Sequence, residues 1–167
     1  VLFLPYLAGE RSPIWDPMAK GVFYGLDYQK TRAHLYRAAL EGTAFALRHN
    51  LEAAREAGAC CNTLRAMGGA ANTRLWTQIK PDVTGRCIEV PSADTATTWG
   101  AAILAGVAVG IWGSFSEAVQ RTVHIRRIHQ PDPQRQEIYD RAYRRYRKLY
   151  ECLGPLMHPA DGEECQH

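Results

Sequence analysis

Arg65-Ala66-Met67-Gly68-Gly69-Ala70-Ala71-Asn72-Thr73-Arg74-Leu75-Trp76 is the stretch that decides how this chain is read. A short apolar run meets two glycines and two alanines, then passes at once into a helical pattern. Glycine permits backbone conformations and close approaches that a side chain forbids. A helix opening behind such a turn offers unpaired N–H groups and the positive end of its dipole. That combination can hold the phosphates or ribose of a nucleotide without a charged side chain. Strand–turn–helix joints of small residues also serve close packing alone, so the turn by itself leaves both roles open.

Outward from the turn, periodicity and punctuation predict alternating strands and helices. On the N-terminal side, residues 1–20 carry three prolines and the charged pair Glu10-Arg11, the composition of an irregular, ordered loop. Gly21–Asp27 suits a short strand. Thr31 can cap a long helix reaching about Ala57, with Leu35, Ala38, Ala39, Gly42, Phe45, Ala46 and Ala53 as its apolar face and Gly58 beyond its end. Leu64–Met67 reads as a buried strand leading into the glycines. A helix from Thr73 to Lys80 follows, which Pro81 should end or kink.

Further on, Cys87–Val90 is a short strand closed by Pro91, and Thr97–Val109 a small-residue helix suited to tight packing. Ser114-Phe115-Ser116-Glu117 has the spacing of a helix start. Asp132-Pro133 opens the last helix, with Ile138, Tyr139, Ala142, Tyr146, Leu149 and Tyr150 along one side. The alternation means an α/β domain over 1–158, followed by a polar tail over 159–167. About three strands are few for so many helices, which suggests a truncated sheet.

Composition narrows the function classes. Hydrophobic residues make up 46% and charged residues 22% of 167, with a net charge of +3, so the chain is an ordinary globular one and its charge singles out no partner. No apolar run approaches a membrane span, and Val1–Tyr6 lacks the pattern of a signal peptide. Five cysteines without a paired framework, and six histidines scattered singly, point to a reducing cytoplasm and to no metal site. Arg141, Arg144, Arg145, Arg147 and Lys148 lie on the last helix without interleaved base-stacking aromatics, so we read a solvated face and no nucleic-acid partner.

Several blocks together resemble the FGGY carbohydrate kinases. The first is Phe3-Leu4-Pro5-Tyr6-Leu7-Ala8-Gly9-Glu10-Arg11-Ser12-Pro13, with Asp16-Pro17 and Lys20-Gly21. The second is Gly21-Val22-Phe23-Tyr24-Gly25-Leu26, with His34-Leu35, Ala38 and Leu40-Glu41. The third is Gly68-Gly69-Ala70 with Trp76, Gln78, Asp82 and Gly85. A weaker one is Ala96-Thr97 with Gly100-Ala101-Ala102 and Ala105-Gly106. They run in the family's order from about residue 3 to 156.

The resemblance implies an actin-like, ribonuclease-H-like ATPase fold, here the C-terminal domain lacking its first strands. It implies ATP and Mg2+ as cofactors and transfer of phosphate to a sugar hydroxyl. Gly68, Gly69, Ala70, Asn72, Thr73 and Arg74 become the nucleotide-binding residues, with Thr73 keeping a hydroxyl where the family often has serine. Trp76 and Gln78 are expected beneath the pocket as packing residues, and Asp82 on the surface as a helix cap. Glu10, Arg11 and Asp16 either border the cleft or form an ion pair that fixes the loop; Arg11 is the cleft candidate.

The family's catalytic base belongs to an N-terminal domain with no counterpart here, so this chain holds no catalytic residue, and alone it is expected to be inactive. The opening Pro5–Pro13 looks more like xylulose-phosphorylating members than glycerol kinases, which makes D-xylulose the favoured substrate. The partners so implied are ATP, a small sugar and the N-terminal kinase domain, with a homodimer as an option. The competing function is a non-catalytic actin-like module that binds nucleotide or drives assembly.

Overall fold

The strand expected near Gly21–Asp27 forms, and its partner is an unexpected one at the very start of the chain. In the computed structural model, which describes residues 1–92 and 96–158, β1 (Leu2–Leu4) and β2 (Val22–Tyr24) pair antiparallel with Phe3 opposite Phe23. Their rings stack at 4.3 Å. Residues 1–20 therefore begin with a strand before the loop, because Leu2, Phe3 and Leu4 are all buried against the helices on either side. The expected polar tail, 159–167, lies outside the described residues.

Helix α1 (Arg32–Glu56) starts at Thr31, whose N–H donates to the His34 ring at 3.1 Å and closes half of a capping box. It ends at Ala57, with Gly58 at φ +90°. Ala38, Gly42 and Phe45 of the expected face are buried, together with Ala44 and His49, since β1, α2 and α5 all pack on this helix. At Gly42 a Cβ would overlap the Phe3 carbonyl, so the closest crossing of helix and strand needs a residue without a side chain.

The second sheet holds β3 (Thr63–Arg65), β4 (Cys87–Pro91) and β5 (Ile125–His129), with β3 parallel and β5 antiparallel to the central β4. Two expectations change here. β3 stops at Arg65 and is largely exposed rather than buried, because it is an edge strand paired only to β4 and Met67 beyond it is 57% exposed. β5 was not expected at all. Its arginines and its histidine interrupt the apolar alternation by which strands are recognised.

Helix α2 (Arg74–Thr84) runs through Pro81 for another turn and caps at Gly85. Proline forfeits one helical hydrogen bond there, but Pro81, Asp82 and Val83 are all buried and hold the last turn to the core. Helix α3 (Ala96–Ala108) is not tightly packed: only Ile103 and Gly106 are buried, Gly106 under the Trp112 ring, while Leu104 is exposed. Helix α4 (Phe115–Thr122) starts as expected, with Ser114 Oγ accepting from the Glu117 amide at 3.2 Å.

Helix α5 (Pro133–Met157) starts with Asp132 Oδ1 accepting from the Gln134 amide at 3.0 Å. Its buried residues are Tyr139, Tyr143 and Tyr146; Ile138 is exposed. The core gathers these tyrosines around Phe45, Leu4, Tyr6, Ile79 and Val83. The Tyr6 and Tyr146 hydroxyls share a hydrogen bond of 2.7 Å, and burial pushes the Tyr146 phenol far up. Among the described residues no helix is long and apolar enough to cross a membrane, and no group of His, Cys, Asp and Glu could hold a metal ion.

Candidate functional site

Beyond β3 the chain makes one more sheet bond, from the Ala66 amide to the Glu89 carbonyl, and then turns. Gly68 has φ +81° and ψ −179°, a conformation open in practice only to glycine. Gly69–Asn72 form one 3-10 turn, closed by Ala71 N–H to Gly68 C=O at 3.0 Å and Thr73 N–H to Ala70 C=O at 3.3 Å. Thr73 is then the N-cap of α2, and the first helical bond returns from Thr77 to it. The amides ahead of Thr77 belong to a first turn that has no intrahelical acceptors.

Among the described residues, a Cβ at Gly68 or at Gly69 would meet nothing within 4 Å. Packing among these residues accounts for neither glycine; the φ of +81° accounts for Gly68 and leaves Gly69 without a reason within them. Their outer side is free to take a group from outside, and the helix N-terminus behind favours a negative one.

Each expected residue has a definite place in this turn. Ala70 is half-buried, Ala71 buried, and Asn72, Thr73 and Arg74 exposed. Asn72 Oδ1 accepts from the Arg126 guanidinium at 2.8 Å. The Thr73 hydroxyl makes no capping bond. Beneath the turn, Thr77 Oγ1 donates to the carbonyls of Ala71 at 3.2 Å and Thr73 at 2.9 Å. The Arg127 guanidinium also donates to the Ala71 carbonyl.

Arg126 and Arg127 were missed in the sequence, because the run Ile125–His129 shows no apolar alternation and an adjacent arginine pair is no signal by itself. Beside the turn, a cavity of about 210 Å3 opens between Met67, Pro91, Trp99 and Ile103.

Trp76 and Gln78 are packing residues. Trp76 Nε1 donates to Thr43 Oγ1 at 3.0 Å, and the Lys80 ammonium lies 4.7 Å from its ring. Gln78 Nε2 donates to Asp82 Oδ1 and to the Gln130 carbonyl, both at 2.8 Å, and its Oε1 meets His129 Nδ1 at 2.9 Å. Asp82 is structural but not superficial, being 1% exposed. It accepts from the Asp132 amide at 3.0 Å and from Arg135 at 3.2 Å, which ties the end of α2 to the start of α5.

The loop of Glu10, Arg11 and Asp16 is fixed by hydrogen bonds rather than by an ion pair among the three. Glu10 Oε1 accepts from the amides of Arg11 and Ser12 at 2.8 and 3.4 Å. Asp16, 5% exposed, accepts from Tyr150 at 2.6 Å, from His158 at 3.1 Å, and from the amides of Met18 and Ala19. The Tyr150 bond, working against burial, holds the Asp16 carboxyl below its ordinary value. A backbone-bonded, buried carboxylate has no valence left for Arg11. The Arg11 guanidinium instead lies 5.8 Å from the Trp15 ring, and among the described residues no hydrogen bond or ion pair joins it to the glycine turn.

Residues 1–109 match the FGGY family of carbohydrate kinases, C-terminal domain. The chain is 36% identical over 158 residues to the xylulose kinase of Escherichia coli K12, covering 94% of this chain and 32% of that protein. It superposes on the xylulose kinase of Rhodospirillum rubrum with a TM-score of 0.82 and 34% identity, over 95% of this chain and 31% of that one. The glycerol kinase of Plasmodium falciparum, solved with ADP, gives a TM-score of 0.75 at 26% identity, over 89% of this chain and 30% of that one. The chain thus spans about a third of the length of the relatives it matches.

Proposed function

The chain belongs to the FGGY family of carbohydrate kinases, and from that premise we propose that residues 1–158 are the nucleotide-side, C-terminal domain of an ATP-dependent sugar kinase of the cytoplasm. The observation that carries this is the turn at Gly68–Arg74, whose two glycines are uncovered on their outer side. ATP would lie against that side, its ribose and phosphates close to Gly68, Gly69 and Ala70. Asn72, Thr73 and Arg74, at the head of α2, would stand by the adenine or ribose. The helix amides favour the negative charge of the phosphates without moving to do so. Mg2+, bound with the nucleotide, would neutralise the charge of the transferring phosphate.

Phosphoryl transfer needs alignment, charge neutralisation and a base for the attacking hydroxyl. This chain supplies the first by fixing the nucleotide end of the line. The base and most of the sugar contacts are assigned to the N-terminal domain. D-xylulose, converted to D-xylulose 5-phosphate, is the favoured substrate, supported by the opening motif and by likeness to two xylulose kinases.

The test is a coupled assay of the full-length protein with ATP, Mg2+ and a panel of D-xylulose, L-xylulose and glycerol. The highest kcat/KM is expected for D-xylulose. A preference for glycerol would overturn the substrate, and absence of any sugar phosphorylation would overturn the kinase. Residues 1–167 alone should show no turnover, and robust turnover from them would refute placing the base elsewhere.

A further inference from the structure

Strand β5 lies beyond residues 1–109, the span of the family's C-terminal domain match, and it grips the turn. Its alternation turns Ile125, Arg127 and His129 to the more buried side and Arg126 and Ile128 outward. The Arg127 guanidinium donates to the Ala71 carbonyl, and the Arg126 guanidinium donates to Asn72 Oδ1 at 2.8 Å. Two neighbouring arginines thus hold two neighbouring residues of the turn. The far end of this brace is rigid, since β5 is laddered to β4 and His129 Nδ1 meets Gln78 of α2 at 2.9 Å.

Two details say that this contact is more than surface decoration. Arg127 Nε is buried and among the described residues has no hydrogen-bond partner, so reaching Ala71 leaves that donor without one there. His129 is held below its ordinary pKa by burial first and then by the charges of Arg127 and Arg74. The guanidinium groups of Arg126 and Arg127 lie against the same turn whose outer face is open.

We propose that Arg127, with Arg126 beside it, is a positioning residue for a nucleoside di- or triphosphate. It acts by fixing the 3-10 turn before the ligand arrives. This rests on the ATP reading above. A turn ordered only on binding would cost affinity, and a braced one avoids that cost. Neither arginine needs to touch the nucleotide for this effect.

The test uses the full-length protein, with Arg127→Met and Arg127→Lys, titrated with MgADP by calorimetry alongside steady-state kinetics and amide hydrogen exchange. Arg127→Met should weaken MgADP about tenfold, the loss expected of one charge-assisted hydrogen bond. It should raise KM for ATP, leave KM for the sugar unchanged, and speed exchange at residues 69–73. Arg127→Lys keeps the charge and one donor and should recover part of each effect.

Wild-type affinity and exchange in the methionine variant overturn the proposal. Should that variant not fold, the lysine variant decides: a raised KM for ATP alone supports the brace, and unchanged constants overturn it. Wild-type protein that takes up no MgADP overturns the ATP reading and this one together. Wild-type binding with indifferent variants overturns this one alone.

Discussion

Replacing Gly68 and Gly69 by alanine, one at a time, should separate what the turn needs for folding from what it offers a ligand. At Gly68 the φ of +81° with ψ −179° is costly for any side chain, although a Cβ there touches nothing. The cost is therefore backbone strain alone, about 1–3 kcal/mol. Alanine also restricts the unfolded chain, which returns about 0.4–1 kcal/mol. A net loss of about 1–2 kcal/mol lowers the melting temperature by about 2–8 °C for a domain of this size.

Gly69 has no left-handed φ and open space around it, so alanine there should leave melting unchanged or raise it slightly. Its methyl group would nevertheless occupy the face assigned to the nucleotide. A misplaced methyl at a close contact costs about 1–3 kcal/mol, or about tenfold and more in MgADP affinity. Calorimetric melting and MgADP titration of both variants provide the readouts. Gly69→Ala with wild-type affinity would refute the approach of nucleotide to this face. Gly68→Ala with a wild-type melting temperature would refute the strain argument.

Three further outcomes follow from the ties that hold the helices. Asp82→Ala strips the α5 start of a charged acceptor for the Asp132 amide and frees Gln78 and Arg135. Arg135 is about half exposed, so its ion pair adds little, and the total should be about 2–4 kcal/mol, read by urea unfolding; a change under about 1 kcal/mol would sink this account.

Asp16 has a folded-state pKa below its unfolded one, so its stabilisation is present above about pH 4 and is lost as pH falls through the folded value. Tyr150→Phe removes the largest cause of that depression and should move the acid-unfolding midpoint to higher pH. An unchanged midpoint would assign the shift to other groups. In the intact protein the Tyr150 phenol, pushed up to about 12 by burial and then by its bond to Asp16, should resist ionisation in an alkaline titration followed by tyrosinate absorbance.

What could be read directly from the sequence was local. Thr31, Ser114 and Asp132-Pro133 start helices through bonds that span no more than four residues, so spacing alone announces them. The Gly68-Gly69 turn was legible for the same reason: glycine type and the helical pattern behind it sit side by side in the chain. The alternation of strand and helix signals carried the α/β class, and the order of the motif blocks carried the family.

Tertiary structure decided the rest. Pro81 reads locally as a helix end, and the helix continues because the core holds its last turn. Asp82 reads as a surface cap until α5 returns, 50 residues later, with the Asp132 amide. Arg127 lies 56 residues from Ala71, in a strand whose own residues hide its alternation. Composition and spacing describe what a residue can do with its neighbours in sequence. Which buried donor meets which distant acceptor is set only when the packed core brings the two segments to one place.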